Sequence, residues 1–428
     1  MSLHADTTDL KRPGVSLNGI DYRWPDRPVV VVCIDGGDPA YIERGLLDGS
    51  IPNIARFVRE GFSSIADGTV PSFTCPNNMS IITGAPASVH GISGNFYLDR
   101  QTGEAVVMTG PELLRSPTLL AQFADAGGRV IAITAKDKLR LQLGKGLNLA
   151  RGNVCFSAEK ADSCSMAENG IESVLPLVGM SQPGMYSMDL SLLVLEAGVR
   201  LLQRDRPDLM FLSLTDYIQH KHAPGSALAT EFFSKIDACF GRLVQAGAVL
   251  ALTADHGMND KALPEGQPNV VFIQDELDAR LGPDTTRVIC PITDAFVKHH
   301  GALGGFVRVY CLADQVSAAA VIHALQGLSG VLEALDRDTA CQQFRLPYDR
   351  EGDVVVIAQA GVALGASKAS HDLSALGSER LRSHGGTTEA RVPFILSEPL
   401  NPVYQAKAGL GLHSHQIFEF AINGTRAH

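Results

Sequence analysis

The sequence has no CxxC pair among its eight cysteines, a single tryptophan, an aromatic share of 6% and no block of lysine and arginine. Each scarcity excludes something. Without cysteines at metal-ligand spacing there is no zinc-finger or zinc-ribbon framework. Cys33, Cys75, Cys155, Cys164, Cys239, Cys290, Cys311 and Cys341 are scattered, several inside apolar runs, and read as buried thiols of a reducing compartment, so the cytoplasm is the expected location. The formal charge is -10, from 36 Lys and Arg against 46 Asp and Glu, and lacks the electrostatic footprint of a nucleic-acid binder. Near the N-terminus the longest clean apolar run is Val29–Ile34, far short of the ~20 residues a membrane-spanning helix needs, and the preceding MSLHADTTDLKRPG is polar. Neither a signal peptide nor a membrane anchor is expected.

What is present is length and apolar content. At 428 residues and 45% hydrophobic composition the chain can bury a large core, and the prior of about 150 residues per domain suggests roughly two or three domains. With 19% charged residues, 42 Gly and 22 Pro, it reads as a loop-rich globular enzyme. An acidic chain that handles an anionic substrate needs local cations, either metals or a few placed lysines.

Apolar runs at Val29–Ile34, Arg129–Thr134, Leu209–Leu214 and Ala248–Thr253 alternate with helical patterns at Ala40–Leu47, Asn53–Glu60, Thr118–Ala126, Leu190–Arg204 and Ala227–Ala246. This alternation predicts an α/β fold built on a doubly wound, mostly parallel sheet with helices on both faces. From about Pro268 the texture changes to shorter strand candidates (Val270–Ile273, Gly305–Cys311, Val354–Ala358) and helical patterns at Gln315–Gln326 and Gly330–Arg337. Residues 265–380 are therefore expected to form an inserted, smaller α+β cap. Residues 1–264 and 381–428 form the catalytic core, with a further strand at Val392–Leu396 and a closing helix near His415–Ala421.

Polar groups follow three of the expected strands: Asp35, Asp216, and the pair Asp255-His256. Ligands of open parallel sheets collect at that edge. In TDYIQHKH, Asp216 and His220 are four apart, which puts both on one face of a helical turn. His384 lies in the glycine-flanked SHGG loop. The six donors are equal parts Asp and His, a mixture that suits zinc, or manganese or iron as substitutes, and they divide into two sets of three. An Asp after a strand is also an ordinary helix N-cap, and a surface Asp-His pair has the same spacing.

The candidate nucleophile is Thr74 in SFTCPNNMSIITG, at or beside a helix start marked by Pro76. A helix N-terminus and a metal both favour the alkoxide, and Asn77, one turn on, has an amide to offer a phosphoryl oxygen. Cys75 is a rival nucleophile, without the arginine of a CxPxR pattern. After the strand Arg129–Thr134, Lys136 and Lys138 form a KxK pair with the spacing of a solvated loop or of an anion-binding one. His222, His299, His300, His413 and His415 are read as surface or capping groups, and His90 as a support for its loop.

The ordered segments IDGGD, PNIARFVREG, SFTCPNNMSIITGAPASVHGI, LTDYIQHKHAPGS, TADHGM and HGGTTEARVPFIL resemble the alkaline phosphatase superfamily. More narrowly, they resemble the phosphonoacetate hydrolases and their nucleotide pyrophosphatase/phosphodiesterase relatives. The resemblance implies an alkaline-phosphatase-like fold and two Zn2+ ions per chain. Asp216, His220 and His384 would hold one, and Asp35, Asp255, His256 and the Thr74 hydroxyl the other. It implies a phosphothreonine at Thr74 and a small anionic phosphonate as substrate, its carboxylate held by Lys136 and Lys138. A nucleotide pyrophosphatase/phosphodiesterase stays open as a second reading, disfavoured by the low aromatic share. A phosphoglycerate mutase-like enzyme, which usually has a Ser nucleophile, and a non-catalytic metal-dependent phosphonate-binding protein are the others. A homodimer is admitted by the sequence and not required by it.

Overall fold

The computed structural model describes residues 12–292, 302–376 and 379–425; His299 and His300 lie outside them. The principal strands in chain order are β1 (Val29–Cys33), β2 (Phe62–Asp67), β3 (Val130–Thr134), β4 (Val154–Ser157), β5 (Leu209–Ser213), β6 (Val249–Thr253), β7 (Thr286–Ile289), β8 (Phe306–Cys311), β9 (Val331–Asp336), β10 (Val354–Ala358) and β11 (Arg391–Leu396).

Seven of them form the main sheet, in the order β2-β11-β6-β1-β5-β3-β4. β6, β1, β5, β3 and β4 pair in parallel, and β11 runs antiparallel to both β6 and β2. All five residues of β1 are buried because the sheet is covered on both faces. Val30, Val32 and Ile34 join one apolar cluster, and Val29, Val31 and Cys33 the other. That is the period of two of a strand, read in a run with no polar residue to break it. The helices Pro39–Asp48, Pro52–Glu60, Asp189–Asp205 and Ala227–Gln245 supply the first cluster, while Thr74–Thr83, Leu119–Asp125 and Asp137–Leu143 supply the second. The result is an α/β sheet wound on both sides.

A second, antiparallel sheet has the order β7-β8-β10-β9. Its core is a separate cluster that includes Val307, Val309, Val354, Val356 and the helix residues Val321 and Leu325. The sequence pattern over Gly330–Arg337 predicts a helix, and here the structure differs. Val331–Asp336 is an edge strand with a register irregularity between Val331 and Glu333, followed by the helix Arg337–Phe344. The closing helix is a 3-10 turn at Ser414–Gln416, an α turn at Ile417–Glu419 and a π turn at Phe420–Gly424. Among the described residues no helix is long and apolar enough to cross a membrane.

Candidate active site

Four adjacent strands of the main sheet end at one edge, and each delivers a charged group there. β6 leads to Asp255 and His256, β1 to Asp35, β5 to Asp216 and β3 to Lys136. The two remaining donors come from short local devices. Asp216 is followed at once by the helix Tyr217–Lys221, whose first turn brings His220 Nε2 to 2.8 Å from Asp216 Oδ2. Asn259–Asp260 pairs with Arg382–Ser383, which carries the His384 loop back beside His256. The two imidazoles stack with centroids 3.5 Å apart.

Each imidazole is aimed by a backbone carbonyl. Nδ1 of His220 lies 2.9 Å from Arg382 O, that of His256 2.8 Å from Gly257 O, and that of His384 2.8 Å from Ser72 O. A carbonyl only accepts, so Nδ1 carries the proton and Nε2 presents its lone pair to the cluster, the arrangement a metal-ligating histidine needs. Asp216, His220 and His384 bring donor atoms within 4.8 Å of one another, and so do Asp35, Asp216 and His256. The first set is the one expected from sequence. The second contains Asp216 in place of Asp255, so Asp216 is common to both. Asp255 lies beside it: Oδ1 accepts from the Gly36 and His256 amides, and Oδ2 from Asn78 Nδ2 at 3.3 Å. Asp35 is not a helix cap. That role belongs to Asp38, which accepts from Ala40 N.

Three buried carboxylates this close cannot all stay charged unaided. Burial, then Asp216 and Asp255, pushes Asp35 well above the usual carboxylate range. Burial, then Asp216, pushes Asp255 up to about 7. Asp216 would also be raised by burial, but His220, when its Nε2 is protonated in place of a metal, and Lys136 hold it well below its ordinary value. Burial and the neighbouring His256 and His220 keep His384 neutral. Asp35 Oδ1, both Asp216 oxygens and His384 Nε2 are buried without a hydrogen bond. Orphaned anionic and imidazole donors gathered in two sets that share Asp216 are what divalent cations satisfy, and carboxylate with neutral imidazole is a donor set for zinc.

Thr74 is the first residue of the helix Thr74–Thr83, with Phe73 as its N-cap, and its Oγ1 lies 3.4 Å from His256 Nε2. It lines a cavity of about 220 Å³ together with Asp35, Cys75, Asn95, Lys136 and Lys138. Lys136 Nζ is 3.7 Å from Asp216 Oδ1, so the lysine pair and the Asp/His cluster share this cavity. Among the described residues, those that line it fall between Asp35 and Leu214.

Asn77 faces elsewhere. Its amide accepts from Thr69 N and donates to Thr69 O and Phe73 O, so it braces the turn before the helix and has no hydrogen left for a ligand. The asparagine on the cavity wall is Asn95, which the sequence reading missed; its one signal is the preceding Gly94 in a tight HGISGN segment. Asn78 was missed as well. It donates to Thr74 O and Asp255 and accepts from Ser213, tying the helix Thr74–Thr83 to the cluster. His90 does support its surroundings: its Nε2 donates to Ser80 of the same helix while Nδ1 accepts from Ile92 N. His415 is buried, not a surface group.

A phosphonoacetate hydrolase from Sinorhizobium meliloti 1021, solved with phosphonoformate and with phosphonoacetate, is 45% identical to this chain. The match covers 96% of this chain and 98% of that one, with a TM-score of 0.91. Human ectonucleotide pyrophosphatase/phosphodiesterase 5 shares the fold at 16% identity and a TM-score of 0.60, over 94% of this chain and 96% of that one. An uncharacterised pyrophosphatase/phosphodiesterase of Schizosaccharomyces pombe is 33% identical over 90 residues, which is 21% of this chain and 18% of that protein. The model of the type I phosphodiesterase/nucleotide pyrophosphatase family matches residues 29–387. By fold and by sequence, the chain belongs to the type I phosphodiesterase/nucleotide pyrophosphatase family, a family of hydrolases.

Proposed function

We propose that this chain hydrolyses the carbon–phosphorus bond of phosphonoacetate, giving acetate and phosphate through a phosphothreonine at Thr74. The observation that carries this reading is the lysine pair: Lys136 and Lys138 line the cavity that also holds Thr74 and Asp35, and Lys136 abuts Asp216. A carbon–phosphorus bond offers no oxygen leaving group. The departing carbon takes the bonding electron pair and can be released only if its carboxylate spreads the charge as an enolate. Cations at the carboxylate end meet that requirement. The cavity volume also falls below the ~300–1,000 Å³ typical of sites for larger organic ligands, which suits a small dianion better than a nucleotide.

In this reading Asp216, His220 and His384 would hold one Zn2+ and Asp35, Asp255, His256 and Thr74 Oγ1 the other, with Asp216 near enough to both sets to serve the second ion as well and with manganese or iron as substitutes. When bound, the ions supply Lewis acidity that acidifies the Thr74 hydroxyl and draws charge from the phosphoryl oxygens. Thr74 Oγ1 attacks phosphorus as the carbon–phosphorus bond breaks. Asn95, in the place the sequence reading gave Asn77, offers its amide to a phosphoryl oxygen, and Lys136 and Lys138 hold the carboxylate. The carbanion takes a proton from solvent, and water then cleaves the phosphothreonine to restore Thr74. Residues 265–380 form the cap of this reading; the described ones do not line the cavity, and they act on the exclusion of bulky esters through the segments they pack against. A cytoplasmic location is supported by eight free thiols, and a homodimer is compatible with this account.

The match to the family model favours nucleotide phosphodiester cleavage as the second reading. Phosphate release from zinc-loaded protein with phosphonoacetate, phosphonopyruvate and 2-aminoethylphosphonate, set beside nitrophenol release from a nitrophenyl nucleotide ester, separates the two. Phosphonoacetate should give the highest kcat/KM; preference for the ester would replace the proposal with the second reading.

A further inference from the structure

The residues of the second sheet do not line the cavity, yet one of them reaches the segment that does. Arg308 on β8 is fully buried, a costly place for a guanidinium, and its donors are spent on two partners. One is the carboxylate of Glu351, engaged by Nε and by Nη2 at 3.1 Å. The other is the loop around Asn95. Nη1 donates to Phe96 O at 2.8 Å, and Nη2 donates to Ser93 O at 2.7 Å and to Ser93 Oγ at 2.9 Å. The guanidinium thus grips the backbone on either side of Asn95.

Two further features bind the loop to the same place. The backbone N–H of Asn95 donates to Pro291 O at 2.9 Å, and Met108 N donates to the backbone O of Asn95 at 2.8 Å. Gly94 has φ +156°, and a Cβ there would come within 2.8 Å of Pro291 Cβ and 3.1 Å of Arg308 Nη1. The approach of the guanidinium to the loop therefore needs glycine at that position. A planar fork with five donors in fixed directions holds the two carbonyls and the Glu351 carboxylate in one geometry, which the three donors of an ammonium on a flexible stem do not fix in the same way.

We infer that Arg308 is a positioning residue for Asn95: by clamping Ser93 and Phe96 it fixes the Asn95 side-chain amide on the wall of the cavity that Thr74 also lines. The inference rests on the reading of Asn95 as a phosphoryl-oxygen donor. It gives the second sheet a part in the reaction through the Ser93–Phe96 backbone and not by contact with substrate.

The test is a double-mutant cycle on the zinc-loaded full chain, combining Arg308→Lys, which keeps a cation beside Glu351, with Asn95→Ala. Losing one preorganised donor to an oxyanion typically costs about 10²–10³-fold in kcat. Asn95→Ala should fall in that range. Arg308→Lys should lose roughly tenfold or more in kcat with little change in KM, and less than about twofold when made in the Asn95→Ala background. Ser93→Ala, which removes only the hydroxyl contact, should show a smaller loss that likewise vanishes without Asn95, and it serves if the lysine variant does not fold. Affinity for inorganic phosphate is measured in the same four proteins and should show the same non-additivity. Because that readout needs no turnover, it separates failure of this inference from failure of phosphonoacetate as substrate. Losses of equal size in both backgrounds, or no loss from either loop-side variant, would overturn the inference and leave Arg308 as a structural ion pair.

Discussion

Lys136 Nζ lies 3.7 Å from Asp216 Oδ1, so the cation expected to grip a substrate carboxylate touches the carboxylate shared by both candidate metal sets. β3 and β5, the strands that carry them, are neighbours in the sheet, and the contact follows from that adjacency. It has a selective consequence. Lys136→Ala or Lys138→Ala should lower kcat/KM for phosphonoacetate about ten- to a hundredfold, the range for loss of one charge-assisted contact. Turnover of p-nitrophenyl phosphate, which has no carboxylate, should change far less. Lys136→Ala should be the more severe, because Lys138 is exposed and Lys136 is partly buried. Zinc content is checked in each variant. Equal losses on both substrates would assign the lysines to the phosphoryl group or to the fold.

Thr74→Ala should lose several orders of magnitude in kcat while retaining metal, and Thr74→Ser should keep part of the rate, because a two-step displacement needs an oxygen nucleophile. Cys75→Ala, on the same cavity wall, should stay close to wild type. Single-turnover assays with both alanine variants decide between hydroxyl and thiol. A Thr74→Ala enzyme with more than about a tenth of the wild-type kcat would make Thr74 only a helix-opening residue.

Because Asp216 belongs to both donor sets, its loss should differ from that of a residue belonging to one. Atomic spectroscopy should find two zinc ions in the wild type, about one in His384→Ala, and close to none in Asp216→Asn. A wild type that is fully active with a single tightly held ion would contradict the two-metal account.

Most of the Asp/His cluster at the sheet's edge was legible in the sequence because a buried parallel strand announces itself as an unbroken apolar run, and the residue after it is then fixed at that edge. Asp35, Asp216, Asp255 and His256 were found that way. Asn77 was misplaced because helical spacing tells which residues share a face and not that the Thr69 and Phe73 backbone would consume its amide. Asn95 sits in a loop held by Arg308 more than 200 positions away, and no local pattern carries that information. β9 was read as helix because VLEALD on a half-exposed edge has no clean alternation, and the irregularity at Val331/Glu333 breaks what remains. β2, FSSIAD, was missed for a related reason: it is a sheet-edge strand with polar residues facing out.

His90 makes the acid stability of the fold testable. Burial, reinforced by Arg350, drives its pKa down to about 3, whereas an unfolded histidine titrates near ~6.5. The fold holds the neutral ring, so its contribution is complete above about pH 6.5 and is lost progressively as pH falls from there toward 3. At pH 5 the loss amounts to roughly 2 kcal/mol. The Tm gap between wild type and His90→Gln should therefore narrow from pH 7 to pH 5. A gap that stays constant would show that His90 does not take up a proton on unfolding.

The central claim is that this chain breaks a carbon–phosphorus bond and releases the carbon as a carbanion. The measurement is nuclear magnetic resonance of phosphonoacetate incubated with zinc-loaded protein in D2O, following phosphorus and carbon-bound hydrogen together. The account predicts equimolar phosphate and acetate, with one solvent deuterium in each acetate methyl group. Intact phosphonoacetate, in a preparation that consumes a nitrophenyl nucleotide ester, would contradict it.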